Sequence, residues 1–504
     1  MCRTITWLIF IFVVSMALSS TFSRLNLFPK PSFIFHRSWK PLLLNRSSKL
    51  LPPTTSSSSP SSLNSFTAYC SILTSENSTS IAPKNPFMKA QDDLIVLGIE
   101  TSCDDTAAAV FSCSLFDGAL VFTTLVRTGQ KQRRNSQSSC VLPNLLALYG
   151  GVAPKMAEEA HSQVIDQVVQ QALDKANLSA SDLSAVAVTI GPGLSLCLRV
   201  GVRKARKVAS SFNLPMVGVH HMEAHALVAR LTERDLQFPF LALLISGGHN
   251  LLVLARDLGH YIQLGTSIDD AIGEAYDKTA KWLGLDLRRS GGPAIEELAR
   301  EGDAHAIKFS TPMKQHKDCN FSYAGLKTQV KLAIESKNVN AAIPISSASS
   351  EDRSSRADIA ASFQRVAVLH LEERCQRAIE WALKIEPSIK HLVVSGGVAS
   401  NQYVRAQLDQ VVKKNNLHLV CPPPSLCTDN GVMVAWTGIE HFRVGRFDPA
   451  PPAEEPEDFV YDLRPRWPLG EEYAEGKSEA RSLRTARIHP SLTSIIQASL
   501  QQQP

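Results

Sequence analysis

The stretch AVAVTIGPGLSLCLRVGVRKARKVASSFNLPMVGVHHMEAH, from Ala185 to His225, decides the fold class. It opens with a short run of apolar and β-branched residues, Ala185–Ile190, which Gly191-Pro192-Gly193 stops; this is the pattern of a buried strand. A helix is expected from about Ser195 to Phe212, then a strand at Met216–Val219, and the HMEAH sequence starts another helix. Strand, helix, strand and helix in succession imply an α/β protein whose helices cover the faces of a sheet.

The same alternation extends in both directions. Leu94–Ile99 reads as a buried strand, and Ala160–Leu173 places Val164, Ile165, Val168, Val169, Ala172 and Leu173 at helical spacing. Phe240–Ile245 is a further strand, with Leu251–Ala255 and Tyr261–Leu264 as antiparallel partners. Helices are expected over Asp270–Leu283, Ala357–Leu383 and Asn430–Val444, with a strand at Leu392–Ser395. The Ser-rich segment Ile343–Ser355 reads as a flexible insertion, and the chain after Asp448 as a Pro-rich polar tail. No internal repeat is found, although two strand–Gly-Gly turns are alike.

A chain of 504 residues predicts two or three domains. Its composition, 44% hydrophobic and 20% charged, is that of a soluble globular protein. A net charge of +5 gives no argument for a nucleic-acid partner. Ten cysteines without a CxxC pair argue against a zinc ribbon or a disulfide framework, and read as reduced thiols.

Residues 1–90 differ from the rest. Glu76 is their only acidic residue, and Thr54–Ser65 is dominated by Ser and Pro. That composition cannot bury enough apolar surface to order itself, and fits an organellar transit peptide. Ile5–Leu18 after Arg3 also fits a secretory signal, and is short for a membrane span.

Two features carry chemistry. Ser246-Gly247-Gly248-His249 and Ser395-Gly396-Gly397 each follow a buried strand. Each is either a structural strand-to-helix turn or a cradle where phosphate meets backbone N–H groups. His221 and His225 lie four residues apart, on one face of a helix. With Asp429 of the Cys427-Thr428-Asp429-Asn430-Gly431 loop they would make a two-histidine, one-carboxylate metal site. The alternatives are satisfied histidines and a helix-capping aspartate. The motif is not HExxH, since Glu223 stands at the wrong offset for a protease base.

Nine motifs then occur in order between about Leu94 and Arg446. They are GIETSCDDT (Gly98–Thr106), YGGVAPK (Tyr149–Lys155), GPGL (Gly191–Leu194), VHHMEAH (Val219–His225), LLISGGH (Leu243–His249), SIDDAIGEAYDKTAKWLGL (Ser267–Leu285), FSYAGLKT (Phe321–Thr328), VVSGGVASN (Val393–Asn401) and CTDNGVM (Cys427–Met433). Together they resemble the tRNA N6-adenosine threonylcarbamoyltransferase family, once called the glycoprotease family. The resemblance implies an actin-like, sugar-kinase-like fold, two α/β domains around a nucleotide cleft, occupying residues 91–446 between a presequence (1–90) and a polar tail (447–504).

It also implies transfer of threonylcarbamoyl from L-threonylcarbamoyl-AMP to N6 of the adenosine beside the anticodon, adenosine 37, in tRNAs reading codons that begin with A. AMP is released. By the resemblance His221, His225 and Asp429 hold one divalent cation, Fe or Zn, while Leu244, Ile245, Ser246, Gly247, Gly248, Asp277, Gly292 and Asn401 bind the adenylate. No catalytic side chain is assigned. Asp104 is a candidate base, and a turn-capping carboxylate is its other reading. Asp269 and Asp270 read as helix N-cap and first turn.

The partners implied are tRNA and a second copy of the chain in a homodimer. The location implied is the mitochondrion, with the plastid as alternative, and the apolar run Ile5–Leu18 is a candidate contact with the inner membrane. A basic helix face, Arg203, Lys204, Arg206 and Lys207, reads as either a tRNA contact or a solvated surface. Lys131-Gln132-Arg133-Arg134 reads in the same two ways, and Arg288-Arg289 departs from the family pattern just before Gly292. An ATP-dependent phosphotransferase on the same fold is the alternative activity.

Overall fold

Two sheets of repeated topology organise the chain, in a computed structural model that describes residues 94–113, 120–128, 154–287, 290–454 and 461–475. These belong to one compact unit, Ser65–Pro504. The presequence and Lys131–Arg134 lie outside the described residues, as do Arg288 and Arg289.

The first sheet contains β1 (Leu94–Glu100), β2 (Thr106–Cys113), β3 (Leu120–Thr128), β4 (Ala185–Gly191) and β5 (Met216–His220). Its order is β3-β2-β1-β4-β5, with β1, β4 and β5 parallel and β2 and β3 antiparallel to their neighbours. The second contains β6 (Phe240–Ile245), β7 (Asn250–Asp257), β8 (His260–Thr266), β9 (His391–Ser395) and β10 (His418–Val420). It runs β10-β9-β6-β7-β8, with the short β11 (Glu471–Glu472) added at its edge. Both sheets thus have the order third, second, first, fourth, fifth, with the same parallel and antiparallel pairs. This duplicated plan is the actin-like architecture.

Helices form three layers. On the outer face of the first sheet, α1 (Pro154–Ala176) and α2 (Ser195–Phe212) pack Val168, Val169, Leu173, Val202 and Ala205 on Leu97, Ile99, Val186 and Val188. On the outer face of the second lie α4 (Ile272–Trp282), α5 (Gly291–Ala299), α6 (Ala324–Ser336), α7 (Ser350–Ile385) and α8 (Gln402–Lys414). The central layer is shared. There α3 (His221–Thr232) and α9 (Gly431–Arg443) are buried among Val96 and Val219 of the first sheet and Ala242, Leu244 and Val393 of the second. Burial on both sides leaves α3 almost wholly apolar apart from His221, Glu223, His225 and its last turn.

All seven strands expected from hydrophobic runs are present within two residues of their expected ends. The strand β2 gave no such signal. Its sequence TAAAVFSC is alanine-rich, and it is buried on both faces, so neither strong β-propensity nor alternation marks it. The flexible insertion expected at Ile343–Ser355 is corrected: Ser349 caps α7 by accepting the Asp352 N–H at 3.2 Å, and Ser350–Ser355 are helical. Serine near a helix start is a cap signal rather than a loop signal.

After Asp448, which exchanges both backbone hydrogen bonds with Met216, the chain crosses the molecule. Tyr461, Leu463 and Trp467 pack on the first lobe, Leu469 enters the central layer, and Tyr473 contacts Trp381 of the second lobe. Arg464 N–H donates to the Ile190 carbonyl at 2.8 Å and Tyr473 N–H to that of Gln263 at 2.9 Å. The seven described cysteines form no disulfide.

Candidate metal centre and substrate cleft

Helix α3 starts directly at the end of β5, with no linker. His220 is its N-cap: Nδ1 accepts the N–H groups of Met222 at 3.1 Å and Glu223 at 3.4 Å, while Nε2 donates to the Trp467 carbonyl at 3.0 Å. Burial holds this imidazole neutral, with its pKa lowered to about 4. The first helical turns then stack His221 against His225, with ring centroids 4.8 Å apart.

Asp429 meets them from the start of α9. The expected capping role falls to its neighbour, since Asn430 accepts the Met433 N–H at 2.8 Å. Asp429 Oδ1 lies 3.1 Å from His225 Nε2 and 3.7 Å from His221 Nε2. The three ligand atoms lie within 4.8 Å of one another. Donors bound at about 2.1 Å to one ion stand roughly 3 to 3.5 Å apart; the two Asp429 distances are close to this, and the wider separation within the cluster would close by a small ring movement as an ion is held.

A second carboxylate supports it. Glu100, at the end of β1, lies 3.1 Å from His221 Nδ1. Burial pulls the His221 imidazole down, but the carboxylates of Glu100 and Asp429 reverse this and raise it to about 9. Burial likewise pushes Glu100 up, and His221 brings it below the usual carboxylate range. The two carboxylates that stabilise a proton on His221 would equally stabilise a cation in its place.

Glu223 takes no part. Its carboxylate accepts from Tyr261 Oη at 2.8 Å, Gly259 N–H at 3.1 Å and His441 Nε2 at 2.9 Å, inside the shared core. A protease base is excluded by that engagement as well as by spacing.

Both glycine turns border the cluster. His249, from the first turn, has its ring 6.4 Å from that of His221. A Cβ on Gly397, in the second, would lie 3.9 Å from Thr428 Cγ2, beside Asp429. Gly247 and Gly248 face open space, with no atom within 4 Å of a Cβ built on either, and the same holds at Gly292. Leu244 and Ile245 are fully buried in separate cores and paired within β6, so neither side chain is offered to a ligand. The Ser246 hydroxyl accepts the His249 N–H at 3.2 Å and closes the turn.

Asp277 Oδ1 accepts the Gly291 N–H at 2.6 Å, beside Gly292. Burial raises its pKa, the Gly291 N–H opposes this, and the charge of Asp104 raises it further. Asp104 therefore sits within electrostatic reach of Asp277. Asn401 caps α8 through the Val404 N–H at 3.1 Å and donates to Gln364 Oε1 at 3.2 Å. Gln364 also lines a cavity of about 340 Å³ with Glu296, Arg300 and Tyr403, and no metal candidate borders it.

Asp269 and Asp270 are not the cap of α4, a position held by Ala271. Asp269 accepts the Tyr323 N–H at 2.9 Å, and Asp270 pairs with Lys327, so both tie α4 to the FSYAGLKT segment. The basic face of α2 is partly spent internally: Lys204 pairs with Asp166 at 2.7 Å, and Arg206 lies over the Tyr461 ring. Glu100, His220 and the Arg464–Leu469 segment escaped sequence reasoning. Glu100 stands inside a recognised motif, but no spacing links it to His221, 121 positions away.

Two actin-like lobes, with a two-histidine, one-carboxylate cluster between open glycine turns, define an actin-like cleft protein with a candidate metal centre. The sequence profile of TsaD, the tRNA N6-adenosine threonylcarbamoyltransferase, matches residues 137–436. A chain from Arabidopsis thaliana, described as "Probable tRNA N6-adenosine threonylcarbamoyltransferase, mitochondrial", is 67% identical over 97% of this chain and 98% of its own. The Xenopus tropicalis mitochondrial transferase is 42% identical over 70% of this chain and 83% of its own. A Rhizobium etli transferase is 41% identical over 74% and 94%. The chain belongs to the TsaD family, and its activity is the formation of N6-threonylcarbamoyladenosine in tRNA.

Proposed function

We propose that the chain takes threonylcarbamoyl from L-threonylcarbamoyl-AMP to N6 of adenosine 37 in tRNAs that read codons beginning with A. The observation that carries this reading is the placement of both glycine turns beside the His221–His225–Asp429 cluster. The carbamoyl carbon is bonded to a phosphate oxygen. Attack by the adenine amine forms the N–C bond, breaks the C–O bond and expels AMP.

One divalent ion, Fe or Zn, held by His221, His225 and Asp429, would polarise the phosphate as it leaves. The chain's own part is positioning. Backbone N–H groups at Gly247 and Gly248 meet the developing charge. Asp277, fixed through Oδ1 by Gly291, offers Oδ2 to a ribose hydroxyl. Gly292 leaves room for the nucleoside, and Asn401 orders the start of α8 beside it. Fixing donor and acceptor together removes much of the entropic barrier. The departing phosphate can take the amine proton, and Asp104 is the side-chain candidate for that task.

The Arabidopsis relative is described as mitochondrial, and the acid-poor first 90 residues have presequence composition. We therefore place this chain in mitochondria, with plastids as alternative, working as a homodimer, and Ile5–Leu18 as its contact with the inner membrane. No described helix is long and apolar enough to cross a membrane.

The test is reconstitution from purified protein, Zn²⁺ or Fe²⁺, L-threonylcarbamoyl-AMP and an unmodified tRNA transcript, with nucleoside mass spectrometry as the readout. Modified adenosine should form, and His221→Ala with His225→Ala should abolish both bound metal and product. Phosphoryl transfer from ATP without modified nucleoside would overturn the reading in favour of a phosphotransferase. Fusing residues 1–90 to a fluorescent reporter tests the location, and sedimentation tests the dimer.

A further inference from the structure

Glu100 touches the candidate centre while belonging to neither the ligand set nor the substrate set. It is fully buried where β1 ends. Its Oε1 accepts the Ser102 N–H at 2.6 Å, and its Oε2 accepts the Thr189 hydroxyl at 2.6 Å from β4, the adjacent strand. Oε2 also lies 3.1 Å from His221 Nδ1, and Ser102 Oγ lies 3.2 Å from the same nitrogen.

An ionised carboxylate can only accept hydrogen bonds, so the atom facing it must carry the proton. The network therefore keeps a proton on Nδ1 of His221, so the nitrogen that gives up its proton to a bound ion is Nε2. The two ring nitrogens point away from each other, and fixing Nδ1 against Glu100 leaves Nε2, the atom that must lose its proton to an ion, facing Asp429. His225 has no such support, since its Nδ1 is buried without a hydrogen-bond partner in the described structure. The orienting device is one-sided.

We infer that Glu100 is a positioning residue for the metal centre, which holds His221 by Nδ1 so that Nε2 faces the ion, and is itself held by Thr189 and Ser102. The inference rests on His221 being a ligand. A carboxylate behind a ligating histidine fixes the ring and raises its basicity, and removing such a partner weakens metal binding by about 10- to 100-fold. Glu100→Gln keeps the volume, but its amide can turn an N–H towards Nδ1. That would favour the Nε2–H tautomer, which has no lone pair for the ion.

The experiment uses the full chain, metal-free, titrated with Zn²⁺ alone against a competing chelator. Nitrogen-15 NMR of labelled histidine, taken at a pH where the ring is neutral, reads the His221 tautomer, assigned by its loss in His221→Ala. Glu100→Gln should weaken Zn²⁺ binding by about 10- to 100-fold and move the proton from Nδ1 to Nε2. Thr189→Val, which removes one donor from Glu100 without altering charge, should weaken binding less, and serves if Glu100→Gln fails to fold. Metal lost in His221→Ala but bound with wild-type affinity in both other variants overturns this inference alone. Metal retained in His221→Ala overturns the ligand reading beneath it.

Discussion

Replacing Gly431 with alanine puts a methyl group where the chain has left no room. Gly431 is the first residue of α9 and follows Asp429 by two positions. A Cβ there would lie 2.4 Å from Ala109 N and 2.5 Å from the Ala108 carbonyl carbon, both backbone atoms of β2. Neither can rotate aside. Ordinary contact begins near 3.4 Å, so the start of α9 must retreat by about 1 Å, and overpacking of this kind costs ~1–3 kcal/mol. The retreat also carries Asp429, whose Oδ1 stands 3.1 Å from His225 Nε2. Metal–ligand distances tolerate only about 0.2 Å. Zn²⁺ affinity should therefore fall at least as far as on loss of an outer partner, about 10- to 100-fold. Urea denaturation of the metal-free protein reads the first effect, and chelator competition reads the second. Unchanged Zn²⁺ affinity, whatever the stability, would refute the claim that close packing of α9 on β2 sets the position of Asp429.

Gly248→Ala makes the opposite case: its Cβ meets nothing within 4 Å, so melting should be unchanged while KM for L-threonylcarbamoyl-AMP rises. A lowered melting temperature would show that the turn is needed for folding instead. Arg356 is wholly buried, with guanidinium bonds to the carbonyls of Leu283, Ile343 and Asn340 and an ion pair with Asp352. Arg356→Ala leaves these groups unpaired and should cost ~3–5 kcal/mol by urea titration; a loss under ~1 kcal/mol contradicts that account. Leu469→Ala removes the buried anchor of the C-terminal segment and should cost ~2–5 kcal/mol, with faster proteolysis after residue 460 as the visible sign. Burial opposes ionisation of Asp270, but Lys327 prevails and holds the carboxyl below its ordinary value of 3.8. Its contribution to stability is complete above that pH and disappears as pH falls through the lowered value. Asp270→Asn should therefore destabilise the protein at pH 7 and flatten its acid limb, and a parallel displacement of the whole pH profile would disprove the pairing.

By itself the sequence determined whatever is local. Leu94–Ile99, Ala185–Ile190 and Phe240–Ile245 are continuous apolar runs because both faces of their sheets are covered, and a run of that kind needs no partner to be read. His221 and His225 share a face because a helix returns every 3.6 residues, and nine ordered motifs sufficed for the family. Contacts between distant segments stayed hidden. The duplicated strand order was invisible because β2 and β7 share a topological place and no sequence pattern. The polar composition after Asp448 concealed a segment that packs Trp467 on His220 and Leu469 in the core, since a few anchors among solvated residues leave no periodic trace. Glu100 and His221 are adjacent because β1 ends, and β5 gives way to α3, at the same edge of the first sheet. Pairing between residues 121 positions apart depends on how the strands are ordered, and only the tertiary structure decides that order.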